Sequence, residues 1–107
     1  MLQISQTYRI SAQHPCLAGH FPNAPVVPGV ILLDYARDLL QNWQPTLQIK
    51  TLLQAKFLQP LFPEQDFTIT LTQISARKIK FTAERQDANS CVFTTLISGA
   101  FAVENKP

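Results

Sequence analysis

His20 and Asp34 stand fourteen residues apart in the stretch AGHFPNAPVVPGVILLDYA, which runs from Ala18 to Ala36. An imidazole base and a carboxylic acid held on rigid elements are what proton abstraction with loss of a leaving group requires. Pro22, Pro25 and Pro28 lie between them, and each fixes its own backbone φ. Gly29 follows and opens an apolar run that reads as a helix. The free N–H groups at such a helix start, with the helix dipole behind them, suit a developing enolate-like oxygen. Glycine lets a substrate carbonyl come close to the backbone.

Each residue also has a plainer reading. His20 alone serves as a loop-stabilising side chain. Asp34 alone is either half of an ion pair with Arg37, at i+3, or a functional acid. A carboxylate in a buried helix is costly unless paired or protonated, and Leu32, Leu33 and Ala36 offer it nothing. The two residues together favour the acid–base pair. Asp38, one turn beyond Asp34, shares its helix face. Two carboxylates so close disfavour double ionisation, which favours a protonated Asp34 unless Arg37 cancels the effect. His14 precedes Pro15 and reads as a turn or strand-end residue. Cys16 has no CxxC partner or nucleophile signature around it. His14, Cys16 and His20 form no recognised ligand spacing, so no metal is expected.

The elements that must position this pair follow from periodicity. Residues 3–10 carry Ile4, Tyr8 and Ile10 in partial alternation and read as a first strand. His14–Pro28 holds four prolines and reads as a rigid loop. A helix spans 29–43 and stops before Pro45. Its first half is apolar almost all round, which predicts burial. Period two then takes over, with strands over 48–59, 66–75, 78–86 and 91–103. Phe67, Ile69, Leu71 and Gln73 share one face of the second of these, and Thr68, Thr70 and Thr72 the other. Hairpin turns fall within 74–80 and 87–90. The expected class is α+β: an antiparallel sheet wrapped around one long buried helix.

Bulk composition narrows the function. The chain of 107 residues makes a single domain, 1–107, and 46% hydrophobic residues suffice for a core. A net charge of +2 with 15% charged residues and no basic run argues against nucleic acid as a partner. No apolar run is long enough to span a membrane, and the first residues lack the pattern of a signal peptide. Cys16 and Cys91 are then expected as reduced thiols in the cytoplasm, with Cys91 a small hydrophobe in a strand.

The segment His20-Phe21-Pro22-Asn23-Ala24-Pro25-Val26-Val27-Pro28-Gly29-Val30 resembles the active-site segment of the hotdog-fold (3R)-hydroxyacyl-[acyl carrier protein] dehydratases, HFPGxPxxPG. In that family too an acid follows the histidine by fourteen residues. Lys56-Phe57-Leu58-Gln59-Pro60 with Phe62-Pro63-Glu64-Gln65-Asp66 is similar to its KFxxPVxPGD strand and turn. The resemblance implies a hotdog fold in which His20 removes the α-proton of a 3-hydroxyacyl thioester and Asp34 protonates the departing hydroxyl. Gly29 N–H would hold the thioester oxygen, with Phe21 and Val26 beside the substrate and Arg37 and Asp38 modulating the acid. It implies no cofactor, because the substrate arrives on the phosphopantetheine arm of an acyl carrier protein. It also implies a dimer, homo- or hetero-, in which the histidine and the acid of one site come from different subunits.

Departures from the family pattern are specific. Asn23 replaces the usual glycine, and asparagine tolerates left-handed backbone best among the rest. The acid is Asp, as in the branch that also isomerises the double bond. Asp38 stands where Gln is common. The Pro63–Asp66 turn differs from PGD, at a place expected to lie far from the site. The short chain looks most like the compact subfamily of aryl-polyene type clusters. Arg77, Lys78 and Lys80 are candidates to receive an acidic carrier protein. Two other readings remain: a subunit that pairs with a catalytic homologue, and an acyl thioesterase using the same helix end.

Overall fold

The computed structural model describes residues 2–13, 26–86 and 92–107. His14, Cys16, His20, Phe21, Asn23 and Cys91 fall outside the described residues, as does the 87–90 turn. The described residues fold into one helix, α1 (Gly29–Trp43), and the strands β1 (Gln3–Arg9), β2 (Leu47–Phe57), β3 (Asp66–Ser75), β4 (Lys78–Gln86) and β5 (Phe93–Asn105). The strands form a single sheet in the order β1-β3-β4-β5-β2, with every pair antiparallel.

The β3–β4 alternation is what builds the core. Phe67, Ile69 and Leu71 of β3 and Ile79, Phe81 and Ala83 of β4 are fully buried on one face. On the other face Ser5 bonds Thr70 and Thr7 bonds Thr68, both at 2.9 Å. Phe81 stacks on Phe101 of β5 at 4.6 Å between ring centroids. The turn between β3 and β4 is shorter than the 74–80 expected, because pairing continues through a register shift after Gln73 to Ser75, which pairs with Lys78.

The helix packs its Leu32, Ala36, Leu39 and Leu40 against that apolar face. It is not buried all round, contrary to its near-continuous apolar sequence. One sheet covers one side of a helix, so Val30 stays 58% exposed and Arg37 and Asp38 face solvent. Strand β2 departs from period two for a related reason. It lies at an edge of the sheet, and register shifts between Ile49 and Thr51 and between Leu52 and Gln54 insert one extra residue each. Leu52 and Leu53 are therefore both exposed. The second bulge brings the Gln54 carbonyl over Gly99, where any Cβ would collide with it and lie 2.6 Å from Phe81 Cζ.

Tyr8, Tyr35 and Phe67 close the seam between β1, α1 and β3, with centroids 4.8 to 5.7 Å apart. Burial raises the Tyr8 phenol above its ordinary 10.0, and the nearby Asp38 carboxylate and Tyr35 push the same way. As pH rises the unfolded chain ionises this group first. The stability it contributes is therefore intact below pH 10.0 and declines as pH climbs through the folded-state value. Tyr8→Phe should flatten that alkaline decline, read as the urea midpoint at about pH 8 against about pH 10.5. An unchanged slope would assign the decline to another group.

Candidate active site at the helix amino terminus

The amino end of α1 is built by proline. Pro28 caps the helix at φ −58° and ψ 135°, with no side-chain cap and no acidic residue in the first turn. The positive end of the dipole is thus left uncompensated by this helix's own side chains. Ile31 N–H donates back to Pro28 O at 3.0 Å and tightens the turn. Just upstream, Val27 N–H donates to Leu61 O at 2.9 Å, which ties the helix entrance to the β2–β3 connection.

A cleft of about 470 Å³ opens at this point. Val26, Gly29, Leu32, Phe57, Leu61 and Leu96 are among its walls. The walls are apolar apart from backbone and Gln59, which suits an acyl chain better than a polar metabolite. Of the expected site residues, the structure thus brings Val26 and Gly29 together at one cavity. Phe57, Leu61 and Leu96 were not singled out as site residues beforehand. Phe57 lay within the KFLQP motif, whereas Leu61 and Leu96 carry no sequence signal beyond being apolar.

What closely approaches Gly29 in the free chain is the Phe57 ring, which a Cβ at position 29 would overlap. The glycine keeps that space open. Phe57 is 59% exposed, so its ring can swing away and leave the Gly29 backbone to a ligand.

Asp34 does not line the cleft. It sits one turn further along α1, four residues from Val30 and on the same outward stripe. Its side chain is 49% exposed, not buried as the apolar run had suggested. Arg37 Nη2 lies 3.6 Å from Asp34 Oδ1, and Arg37 Nε lies 3.8 Å from Asp38 Oδ1. One cation therefore stands between the two carboxylates, offsetting their repulsion. At this exposure each pair is a loose, screened contact and no structural anchor.

The Pro63–Asp66 turn, expected to lie far from the site, contacts the residues that follow β1. Glu64 N–H donates to Ile10 O at 2.8 Å, and Ala12 N–H donates to Glu64 Oε1 at 2.7 Å. Both contacts lie immediately before the segment that carries His20. Among the described residues no group of His, Cys, Asp and Glu side chains could hold a metal ion. No helix among them is long and apolar enough to cross a membrane.

Comparison with known proteins identifies the family and the fold. The family model described as ApeI-like, ApeI dehydratase, matches residues 2–95. The 3-hydroxyacyl-[acyl-carrier-protein] dehydratase FabZ of Histophilus somni is 26% identical over 106 residues, covering 91% of this chain and 65% of its own length. The chain thus spans just under two thirds of that curated relative. Among solved structures, the dehydratase heterocomplex ApeI:P from Xenorhabdus doucetiae matches with a TM-score of 0.81 at 18% identity, over 94% of this chain and 86% of that one. An acyl-CoA hydrolase from Staphylococcus aureus, in complex with butyryl coenzyme A, matches with a TM-score of 0.71 at 9% identity, over 96% of this chain and 65% of that one. The architecture is therefore the hotdog fold, which hosts hydrolases as well as dehydratases.

The contact between Gly29 and Phe57 makes a testable prediction. With Phe57 in place, Gly29→Ala should cost about 1 kcal/mol or more through overlap. In a Phe57→Ala background the same change should be neutral or stabilising by about 0.5–1 kcal/mol, because alanine is the better helix former. Chemical denaturation of the four proteins of that double-mutant cycle measures the difference. Additive effects would show that the ring does not rest on Gly29.

Proposed function

The chain belongs to the ApeI-like dehydratase family, and from that premise we propose that it dehydrates 3-hydroxyacyl thioesters carried on acyl carrier protein to trans-2-enoyl thioesters. The observation that carries the reading is the apolar cleft ending on the Gly29 helix terminus, directly after the HFPNAPVVPG segment.

The chemistry assigns one task to each group. The thioester oxygen accepts from Gly29 N–H, and the helix dipole favours the charge that gathers there. His20 takes the proton from C2. The electron pair left behind forms the C2=C3 double bond, and the C3–O bond breaks. Asp34, in its acid form, protonates the departing oxygen, so that water leaves. Proton exchange with solvent then restores both groups. Phe21 and Val26 flank the acyl chain, and Arg37 and Asp38 set the field around Asp34. The substrate's phosphopantetheine arm does the carrying, so the step needs no cofactor.

A second hotdog subunit completes this site in our reading. Asp34 points away from its own sheet, and the exposed β2 edge presents Leu52, Leu53 and Phe57. An unpaired apolar edge strand invites pairing with another chain. The structural relative ApeI:P is a dehydratase heterocomplex, which supports a different partner subunit as well as a second copy. Lys56, Lys78 and Lys80 border a shallow groove on the outer face, floored by Ser98, Gly99 and Ala100. Of these, Lys56 adjoins Phe57 of the cleft, so it leads our assignment of the surface that meets an acidic carrier protein. Arg77 and Lys78 sit at the far end of the sheet: Lys78 pairs with Ala102, five residues along β5 from the Ile97 that pairs with Phe57. That is about 17 Å at the usual strand rise. The reaction belongs in the cytoplasm, where acyl carriers are charged and elongated.

Purified protein should remove one water from a 3-hydroxyacyl carrier-protein thioester, followed by mass spectrometry. His20→Ala and Asp34→Asn should each lower turnover by about 10²–10⁴-fold. Full activity in either variant would remove that residue from the mechanism. Turnover that appears only on adding a homologous dehydratase subunit would assign the chain to a heterodimer. Thioester hydrolysis without dehydration would favour the thioesterase reading.

A further inference from the structure

Both ends of the His20-bearing segment hang from one short connection, residues 58–65. Upstream, Glu64 binds Ile10 and Ala12 through its backbone N–H and its carboxylate. Downstream, Leu61 O accepts from Val27 N–H. The connection is itself fixed to the sheet. Leu58 and Gln59 N–H both donate to Leu96 O, at 2.8 and 3.3 Å, and Arg85 Nη1 donates to Pro60 O at 3.1 Å. Leu61 is 1% exposed and anchors it in the core. Phe62 N–H donates to Gln65 Oε1, which closes the turn.

Glu64 is the unusual member. Its φ is +65°, and it is the sole non-glycine residue with positive φ among those described. A residue with a Cβ pays conformational strain there that glycine would not. The comparable PGD turn of the dehydratase motif has a glycine beside its proline. This chain instead carries a side chain at a position where glycine fits best, and that side chain spans to Ala12 N–H. A charge-assisted bond of 2.7 Å is a strong use for it.

We infer that Glu64 is a positioning residue: its carboxylate clamps Ala12 and thereby sets where the segment bearing His20 leaves β1, relative to the Gly29 helix terminus held through Val27. This rests on the dehydration reading for its catalytic consequence, though the clamp itself does not. A base displaced by a fraction of an ångström transfers its proton more slowly while the acyl chain still binds, so kcat and not KM should register the loss.

The test uses the full chain, with Glu64→Gly to relieve the backbone and delete the clamp, and Glu64→Gln to keep an acceptor in place. Amide hydrogen exchange should rise about tenfold at Ala12 in Glu64→Gly and stay near wild type in Glu64→Gln, with Val27 unchanged in both. On a 3-hydroxyacyl carrier-protein thioester, kcat should fall about 3–10-fold in Glu64→Gly with KM within about twofold, and Glu64→Gln should restore it. Unchanged exchange at Ala12 in Glu64→Gly, unchanged kcat, or equal impairment of both variants would overturn the inference. If wild type does not dehydrate, the dehydration reading fails, and the exchange at Ala12 still decides the clamp.

Discussion

The helix has one apolar stripe, the sheet one apolar face, and each must cover the other. Leu32, Leu39 and Leu40 lie against Phe67, Ile69, Phe81 and their neighbours, all nearly inaccessible. Each large side chain so buried contributes about 1.5–3 kcal/mol, and nothing else in the described chain offers a comparable surface. The direction and rotation of the helix are fixed by that match. Its amino terminus must then emerge beside the β2–β3 connection and Leu96, where the cleft lies. Val30 and Asp34 must lie on the uncovered side. The site is in this sense a by-product of how the core closes.

The connection after β2 converts that core into local geometry. It is short and irregular, yet its backbone groups are spent on β5, on Val27 and on Ile10. A loop so tied behaves as part of the scaffold. The prolines of the preceding segment restrict φ at their own positions, and hydrogen bonds to fixed residues at each end restrict where the segment starts and stops. Glu64 and Leu61 thus hold the described residues on either side of that segment, Ala12 and Val27. Phe57 closes the arrangement by resting on the one helix residue that has no side chain to prevent it.

Much of this was legible in sequence because the strongest signals are local. Pro28 and Pro45 bracket the helix, so its limits of 29–43 could be read directly. Phe67, Ile69 and Leu71 alternate with threonines, so the buried face of β3 was plain. The misjudged features all depend on what lies across the fold. An apolar run in a helix shows what the chain is able to bury, but the number of covering layers decides what it does bury, and here there is one. Thr51-Leu52-Leu53 has no alternation from which two bulges could be inferred. Glu64 looks like any charged turn residue until its partner, fifty-two residues earlier, is seen beside it. The His20 segment was readable as a motif, and it lies outside the described residues, so its role rests on that resemblance.

The uncovered face carries the deeper consequence. Chemistry on an acyl chain belongs in a site that excludes water. In the single chain Asp34 is half in solvent, with Arg37 3.6 Å away, and it does not line the cleft that ends on Gly29. The proposed mechanism therefore asks for something to cover that face and to bring an acid and a cleft together. A second hotdog subunit pairing along β2 would lay apolar surface there, so assembly and activity would be two aspects of one burial event.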